Sequence, residues 1–269
     1  SLLSSYLFSN DGNFKFNLLK KIQRFSVNFL AEDKNTQISE QEKIAKSWIP
    51  NQKSINTDKK IHFLKTHNAL CAINGNKFTD KQNTKAVLYI VRDPRNLVLS
   101  ISHHFELSHQ EAAEFILNDR KIIFPKNLKK LNEKKQIYKD FNYLGAWSNH
   151  FNSWRNNNFC PIKIIKYEDL LSETERNFIS ILEFISKFTK IKMDNKKIKN
   201  TLKTTSFDFL SDLEENENFE ESAISSKTNK KIKFFNLGKK NNWCDLLEKD
   251  IVQKIETKFK KEMIELNYL

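Results

Sequence analysis

Apolar residues fall into two kinds of pattern along this chain. Ala86 to Val91 and Ile162 to Lys166 are short runs rich in β-formers, and each predicts a strand buried on both faces. Ile61 to His67 predicts a third, ending in polar residues. Elsewhere the spacing is helical. Leu2, Leu3, Tyr6 and Leu7 form a stripe that starts without a cap, and Phe14 to Leu30 and Ile38 to Trp48 are amphipathic, the latter ended by Pro50. Lys53 to Lys60 reads as a charged loop, and Leu97, Val98 and Ile101 place a helix after the first strand. Glu106 to Leu117, Asn177 to Phe188 and Leu246 to Leu269 also read as helical. Trp147, His150, Phe151 and Trp154 share one helical face, an aromatic core stripe in which the place of His150 stays open. Asp212 to Ser226 is acidic and polar, and predicts a mobile loop.

The chain has 269 residues, 39% of them apolar, enough for a substantial core. Its net charge of +13 points first to nucleic acid or an anionic surface. Forty lysines against six arginines, with only four glycines, read instead as a solvated Lys-rich surface. A basic nucleic-acid module would also interleave exposed aromatics with its cations, whereas most aromatics here lie in apolar stripes. Cys71, Cys160 and Cys244 are isolated, with neither C-x-x-C spacing nor clustering with His. They suit a reducing, cytoplasmic setting and no metal, and no apolar run reaches membrane-spanning length.

The chemistry concentrates where the first strand meets its helix. Asp93 is a good N-cap, and Pro94 suits the first helical position. Such a turn aims backbone N–H groups and the positive helix end at one point, a ready anion site. Arg92 sits on its lip and Ser100 within reach, a guanidinium and a hydroxyl suited to a dianionic phosphate. From the residues alone, a capped helix with Arg92 in a structural ion pair explains the segment as well.

Arg92-Asp-Pro-Arg-Asn-x-x-x-Ser100 after a hydrophobic strand resembles the 3′-phosphate-binding segment of the sulfotransferase family, whose donor is 3′-phosphoadenosine-5′-phosphosulfate. Further segments match in order. Lys65-Thr-His67 resembles the family's Lys-Thr-His, which implies that His67 is the general base and that Lys65 steadies the transferring group. Tyr167-Glu-Asp-Leu170 resembles the segment whose Tyr lies against the adenine, and Thr205-Ser206-Phe207 resembles a second donor-contact motif. Glu168 and Asp169 read as helix N-terminal charge and structural hydrogen bonding rather than a catalytic pair.

Phe234 to Trp243 resembles the family's Phe-x-Arg-Lys-Gly-x-x-Gly-x-Trp, with departures. Gly238 and Trp243 stand, but Asn236 replaces the Arg, Leu237 the Lys and Asn241 the second Gly. An amide supplies no charge, so Lys239 or Lys240 is expected to substitute. The resemblance puts His150 and His104 on the acceptor side, with Lys121 to Lys139 and Asp212 to Ser226 shaping the pocket.

What the resemblance implies is one sulfotransferase domain over residues 1–269, an α/β fold with a parallel sheet flanked by helices, similar to the P-loop nucleotide-binding fold, acting on a hydroxyl or amine of a small molecule or carbohydrate, without nucleic acid, membrane span or metal. A phosphoryl-transfer enzyme of the same fold would need an intact Gly-Lys-Ser/Thr loop and a magnesium-holding carboxylate. The family's 5′-phosphosulfate loop, Pro-Lys-Ser-Gly-x-Thr-Trp, stands nowhere in the sequence, which begins at Ser1 without Met. The expectation is therefore a chain that starts just past that loop and its strand, and that is inactive as written.

Overall fold

The computed structural model describes residues 1–27, 39–58, 60–124, 140–217, 219, 222, 224–225 and 228–269. In chain order come α1 (Leu2–Phe8), a 3-10 turn (Phe16–Lys21), β1 (Gln23–Arg24), α2 (Glu40–Ile55), β2 (Leu64–Lys65), β3 (Ala72–Ile73), β4 (Asn76–Lys77) and β5 (Val87–Val91). Then follow α3 (Pro94–Phe105), α4 (His109–Leu117), β6 (Ile122–Ile123), β7 (Asn142–Tyr143), α5 (Trp147–Arg155) and β8 (Ile162–Lys166). The last part is helical: α6 (Tyr167–Ser172), α7 (Thr174–Ser186), α8 (Asn195–Thr204), α9 (Phe207–Asn216), α10 (Trp243–Leu246) and α11 (Lys249–Glu265). This is a mixed α/β chain in which short strands are flanked by helices. β1 runs parallel to β2, and β5 lies beside β8.

The chain gathers into two compact units. One contains Ser1–Ile22, Ile90–Leu117 and Ile165–Leu269; the other contains Gln23–Tyr89 and Asn118–Ile164. In the first, Tyr6, Phe178, Leu182 and Ile198 form a core, with the Tyr6 ring edge-on to Phe178 at 5.8 Å. In the second, Phe25, Val27, Ile44, Ala45, Trp48, Phe78, Phe141 and Trp154 do so.

Several local expectations change. Phe14 to Leu30 is no continuous helix: a 3-10 turn gives way to β1, and residues 28–30 lie outside the described residues. Phe25 and Val27 are buried on either side of exposed Ser26, a period of two. The Phe25 N–H donates to the Lys65 carbonyl at 2.7 Å, so pairing with β2 overrides the helical stripe.

Pro50 does not end its helix, which starts at a Ser39 cap accepting from the Glu42 N–H and runs on to Ile55 through the expected loop. Proline in a helix costs about 3 kcal/mol. Burying a large apolar side chain gains about 1.5–3 kcal/mol, and Ile44 and Trp48 are both fully buried. The Asn51 amide also donates to the Ser47 carbonyl at 2.8 Å, inside the turn that proline loosens.

β5 is not buried on both faces, because Ile90 is 59% exposed and only Val91 is buried. Of Ile61 to His67, only Leu64–Lys65 enters a ladder. The acidic stretch from Asp212 is helical through Asn216, and the rest of that expected loop lies only partly within the described residues. Glu214 shows why: its carboxylate accepts from the N–H groups of Phe234 and Phe235 and from the Ser222 hydroxyl, at 2.7–2.8 Å. The C-terminal helix is broken at buried, extended Leu247. Residues 125–139, most of the Lys-rich stretch, lie outside the described residues. Among the described residues no helix is long and apolar enough to cross a membrane.

Candidate functional site

The first unit holds the turn from β5 into α3. Asp93 caps the helix, its Oδ1 accepting from the Arg95 N–H at 2.9 Å, with Pro94 behind it. The guanidinium of buried Arg95 bonds the same carboxylate through Nε and Nη2, and reaches Glu256 and the Tyr268 carbonyl. Trp243 covers it at 3.8 Å. This pair is structural: it ties α3 to the C-terminal segment, and Asp93 is fully engaged by it. Sequence reasoning missed Arg95. Its signal was the second Arg of Arg-Asp-Pro-Arg, two residues beyond the cap.

Arg92 points elsewhere. Its Nη1 donates to the Ser100 hydroxyl at 2.7 Å, and its guanidinium lies 4.6 Å from the centre of the Tyr167 ring. Burial lowers the Arg92 pKa, while Tyr167 and the negative charges of Glu168 and Asp93 act the other way. The structure thus brings Arg92, Ser100 and Tyr167 together. Glu168 accepts from the Asp93 N–H at 3.1 Å and from the Tyr268 hydroxyl at 2.8 Å, the structural role expected of it.

Asn241 joins this group, unforeseen. Its Nδ2 donates to Ser100 Oγ at 3.0 Å. The only sequence signal for it was its place where the resembled motif has glycine. Asn236 is exposed. Lys239 lies in the 3-10 turn Gly238–Lys240, and its side chain is not described.

Thr205 and Ser206 serve the backbone. The Thr205 hydroxyl donates to the Thr201 carbonyl at 2.7 Å, and Ser206 Oγ caps α9 by accepting from the Phe209 N–H. Phe207 presses its ring on Gly238, where an added Cβ would stand 2.7 Å from two ring carbons. Gly238 also has φ of +52°, a left-handed conformation that disfavours side chains. Gly238→Ala is therefore expected to destabilise the protein by about 1–3 kcal/mol. Thermal unfolding checks it, and an unchanged midpoint would contradict this packing. His104 is set among aromatics, edge-on to Phe105 at 4.7 Å and to Phe234 at 6.4 Å.

The second unit holds Lys65, His67 and His150. Lys65 closes β2, and its carbonyl is held by the Phe25 N–H. His67 follows at the strand's exposed end. His150, on α5, accepts from the Tyr89 hydroxyl at Nδ1 (2.8 Å) and donates from Nε2 to the His67 carbonyl (3.2 Å). Burial lowers the His150 pKa, and burial raises that of Tyr89, so both stay neutral near pH 7. With both ring nitrogens engaged, His150 holds the His67 backbone in place. Asn68 fixes the next residue: its side-chain carbonyl accepts from the Tyr143 N–H at 2.7 Å, and its backbone carbonyl from the Trp154 indole N–H at 2.9 Å. Trp147, Phe151 and Trp154 are buried, the core stripe expected of them.

Among the described residues, no three His, Cys, Asp or Glu side chains are grouped to hold a metal. No curated protein is matched by sequence comparison. In structure the chain is similar to mouse sulfotransferase SULT7A1 complexed with PAP, at 17% identity and a TM-score of 0.48, over 76% of this chain and 67% of that one. The sulfotransferase domain profile matches residues 16–267, spanning both units and every candidate residue named above. On that match, the chain belongs to the sulfotransferase domain family and is a transferase.

Proposed function

We propose that this enzyme moves a sulfuryl group from 3′-phosphoadenosine-5′-phosphosulfate to a hydroxyl or amine of a small molecule or carbohydrate. The observation that carries this reading is the Arg92–Ser100 pair, 2.7 Å apart beside a capped helix N-terminus inside the matched domain. A guanidinium, a hydroxyl and a helix N-terminus fit a phosphate dianion. Tyr167, under the Arg92 guanidinium, and Phe207, packed against Gly238, supply aromatic surface suited to an adenine.

When bound, the donor would supply an activated sulfuryl group, and residues of this chain would hold its 3′-phosphate end and serve the acceptor. Arg92 and Ser100 would hold the 3′-phosphate end, with Thr205, Ser206, Gly238 and Lys239 as further donor contacts. His67 would take the acceptor's proton. Lys65 would offset charge at the reacting centre, electrostatic help of the kind fixed cations give. His150 would keep His67 in register, and His104 among its aromatic neighbours would face the acceptor side. The free thiols of Cys71, Cys160 and Cys244 support a reducing, cytoplasmic setting.

The test is calorimetry of the purified protein with adenosine 3′,5′-bisphosphate and with adenosine 5′-phosphate, followed by transfer of labelled sulfate to phenols, alcohols and sugars. Tighter binding of the bisphosphate supports the reading. Equal affinity for the two nucleotides would overturn it.

A further inference from the structure

The Arg92–Ser100 pair has a third member. Ser100 Oγ sits at the meeting point of two donors, Arg92 Nη1 at 2.7 Å and Asn241 Nδ2 at 3.0 Å, and among the described residues its own proton has only the Asn96 carbonyl at 3.4 Å. Asn241 arrives from the far end of the chain. Asn96 Oδ1 anchors that segment by accepting from the Trp243 N–H at 3.0 Å, and Trp243 in turn covers Arg95. The Asn241 amide is therefore delivered to Ser100 by a fixed backbone.

Among the described residues, one half of that amide is not provided for. Oδ1 of Asn241 is buried, and among the described residues it has no hydrogen-bond partner. A buried polar atom without a partner carries a desolvation penalty, and native structures hold few of them. As an acceptor that oxygen would repel a phosphate dianion; the amide meets such an anion through its NH2, either by turning over, with Oδ1 then accepting the Ser100 proton, or by the second hydrogen of Nδ2. The amide thus brings spare hydrogen-bonding capacity to a cluster of a cation and a hydroxyl.

We infer that Asn241 is a third ligand of the 3′-phosphate, completing an Arg92–Ser100–Asn241 tripod that selects a phosphate monoester at the 3′ position of the nucleotide; this rests on the proposed donor reading. Arg92 brings charge, Ser100 a hydroxyl and Asn241 directional amide hydrogen bonds. Asn236 is exposed, and the amide five residues later brings hydrogen bonds, though no charge, to the cluster.

The experiment measures affinity for adenosine 3′,5′-bisphosphate and adenosine 5′-phosphate in the full chain and in Asn241→Ala and Asn241→Asp. Loss of a hydrogen bond to a charged group predicts a bisphosphate affinity about 10-fold weaker in Asn241→Ala, with the monophosphate unchanged. Asn241→Asp keeps the shape but sets a carboxylate against the phosphate, so its loss should exceed that of Asn241→Ala. It also covers a failure of the alanine variant to fold. Selectivity in the wild type that survives both substitutions would overturn the tripod and leave the donor reading standing. Equal weakening for both nucleotides would make Asn241 a structural residue and overturn the tripod as well. Absence of selectivity in the wild type would remove the donor reading, and this inference with it.

Discussion

In a complete version of the enzyme, sulfuryl transfer by His67→Ala will fall about 10²–10⁴-fold, while binding of adenosine 3′,5′-bisphosphate stays near the wild-type level. His67 stands at the exposed end of β2, where Lys65 C=O is tied to β1, and its own carbonyl accepts from His150 Nε2. The backbone is therefore held on both sides of the imidazole, and alanine removes a proton acceptor without removing the scaffold. The neighbouring histidine cannot substitute. His150 Nδ1 is occupied by the Tyr89 hydroxyl, its Nε2 carries the proton given to the His67 carbonyl, and burial disfavours its charged form. Initial rates with labelled donor, alongside calorimetry, separate chemistry from binding. Retained turnover would remove His67 from the role of base. Parallel loss of rate and binding would mean that the substitution disturbed the fold.

Arg92→Ala will weaken adenosine 3′,5′-bisphosphate binding by about 1.5–3 kcal/mol, roughly 10–150-fold, and adenosine 5′-phosphate binding far less. Arg92 is the cation of the cluster that also holds Ser100 and Asn241. The neighbouring Arg95 cannot replace it, being engaged by Asp93, Glu256 and Tyr268 and covered by Trp243. Some loss of stability is also expected, because the Tyr167 ring loses the guanidinium it rests on, a contact of about 0.5–2 kcal/mol. The comparison of two nucleotides removes this common part. An equal loss for both would place Arg92 away from the 3′-phosphate.

Read as a sequence, the chain already carried its chemistry-bearing turn. A β-rich run, then Asp-Pro, then apolar residues at helical spacing is local information, and β5, the Asp93 cap and α3 follow from it. Ser100, eight residues after Arg92, lies two helical turns on, so the pairing of the two was also legible. The aromatic face of α5, the α/β class and the family followed from the same kind of local pattern. Where two local preferences competed, the sequence misled. Phe25 and Val27 fit a helical stripe and an alternating strand equally well until β2 is there to pair with. Pro50 should end a helix until the burial of Ile44 and Trp48 is counted.

Tertiary structure alone decided which polar groups remain for chemistry. Arg92 and Arg95 are the same residue type three positions apart. Nothing in their order says that one is consumed by Asp93, Glu256 and Tyr268 while the other meets Ser100. His67 and His150 are likewise indistinguishable by type, yet the carbonyl of one receives the proton of the other. Asn241 looked like a lost glycine until its amide was seen against Ser100. The physical reason is common to all three. Secondary structure is set by the backbone and near neighbours, within reach of a few residues. The role of a polar side chain is set by which partners satisfy it, and those partners come from as far as 173 residues away.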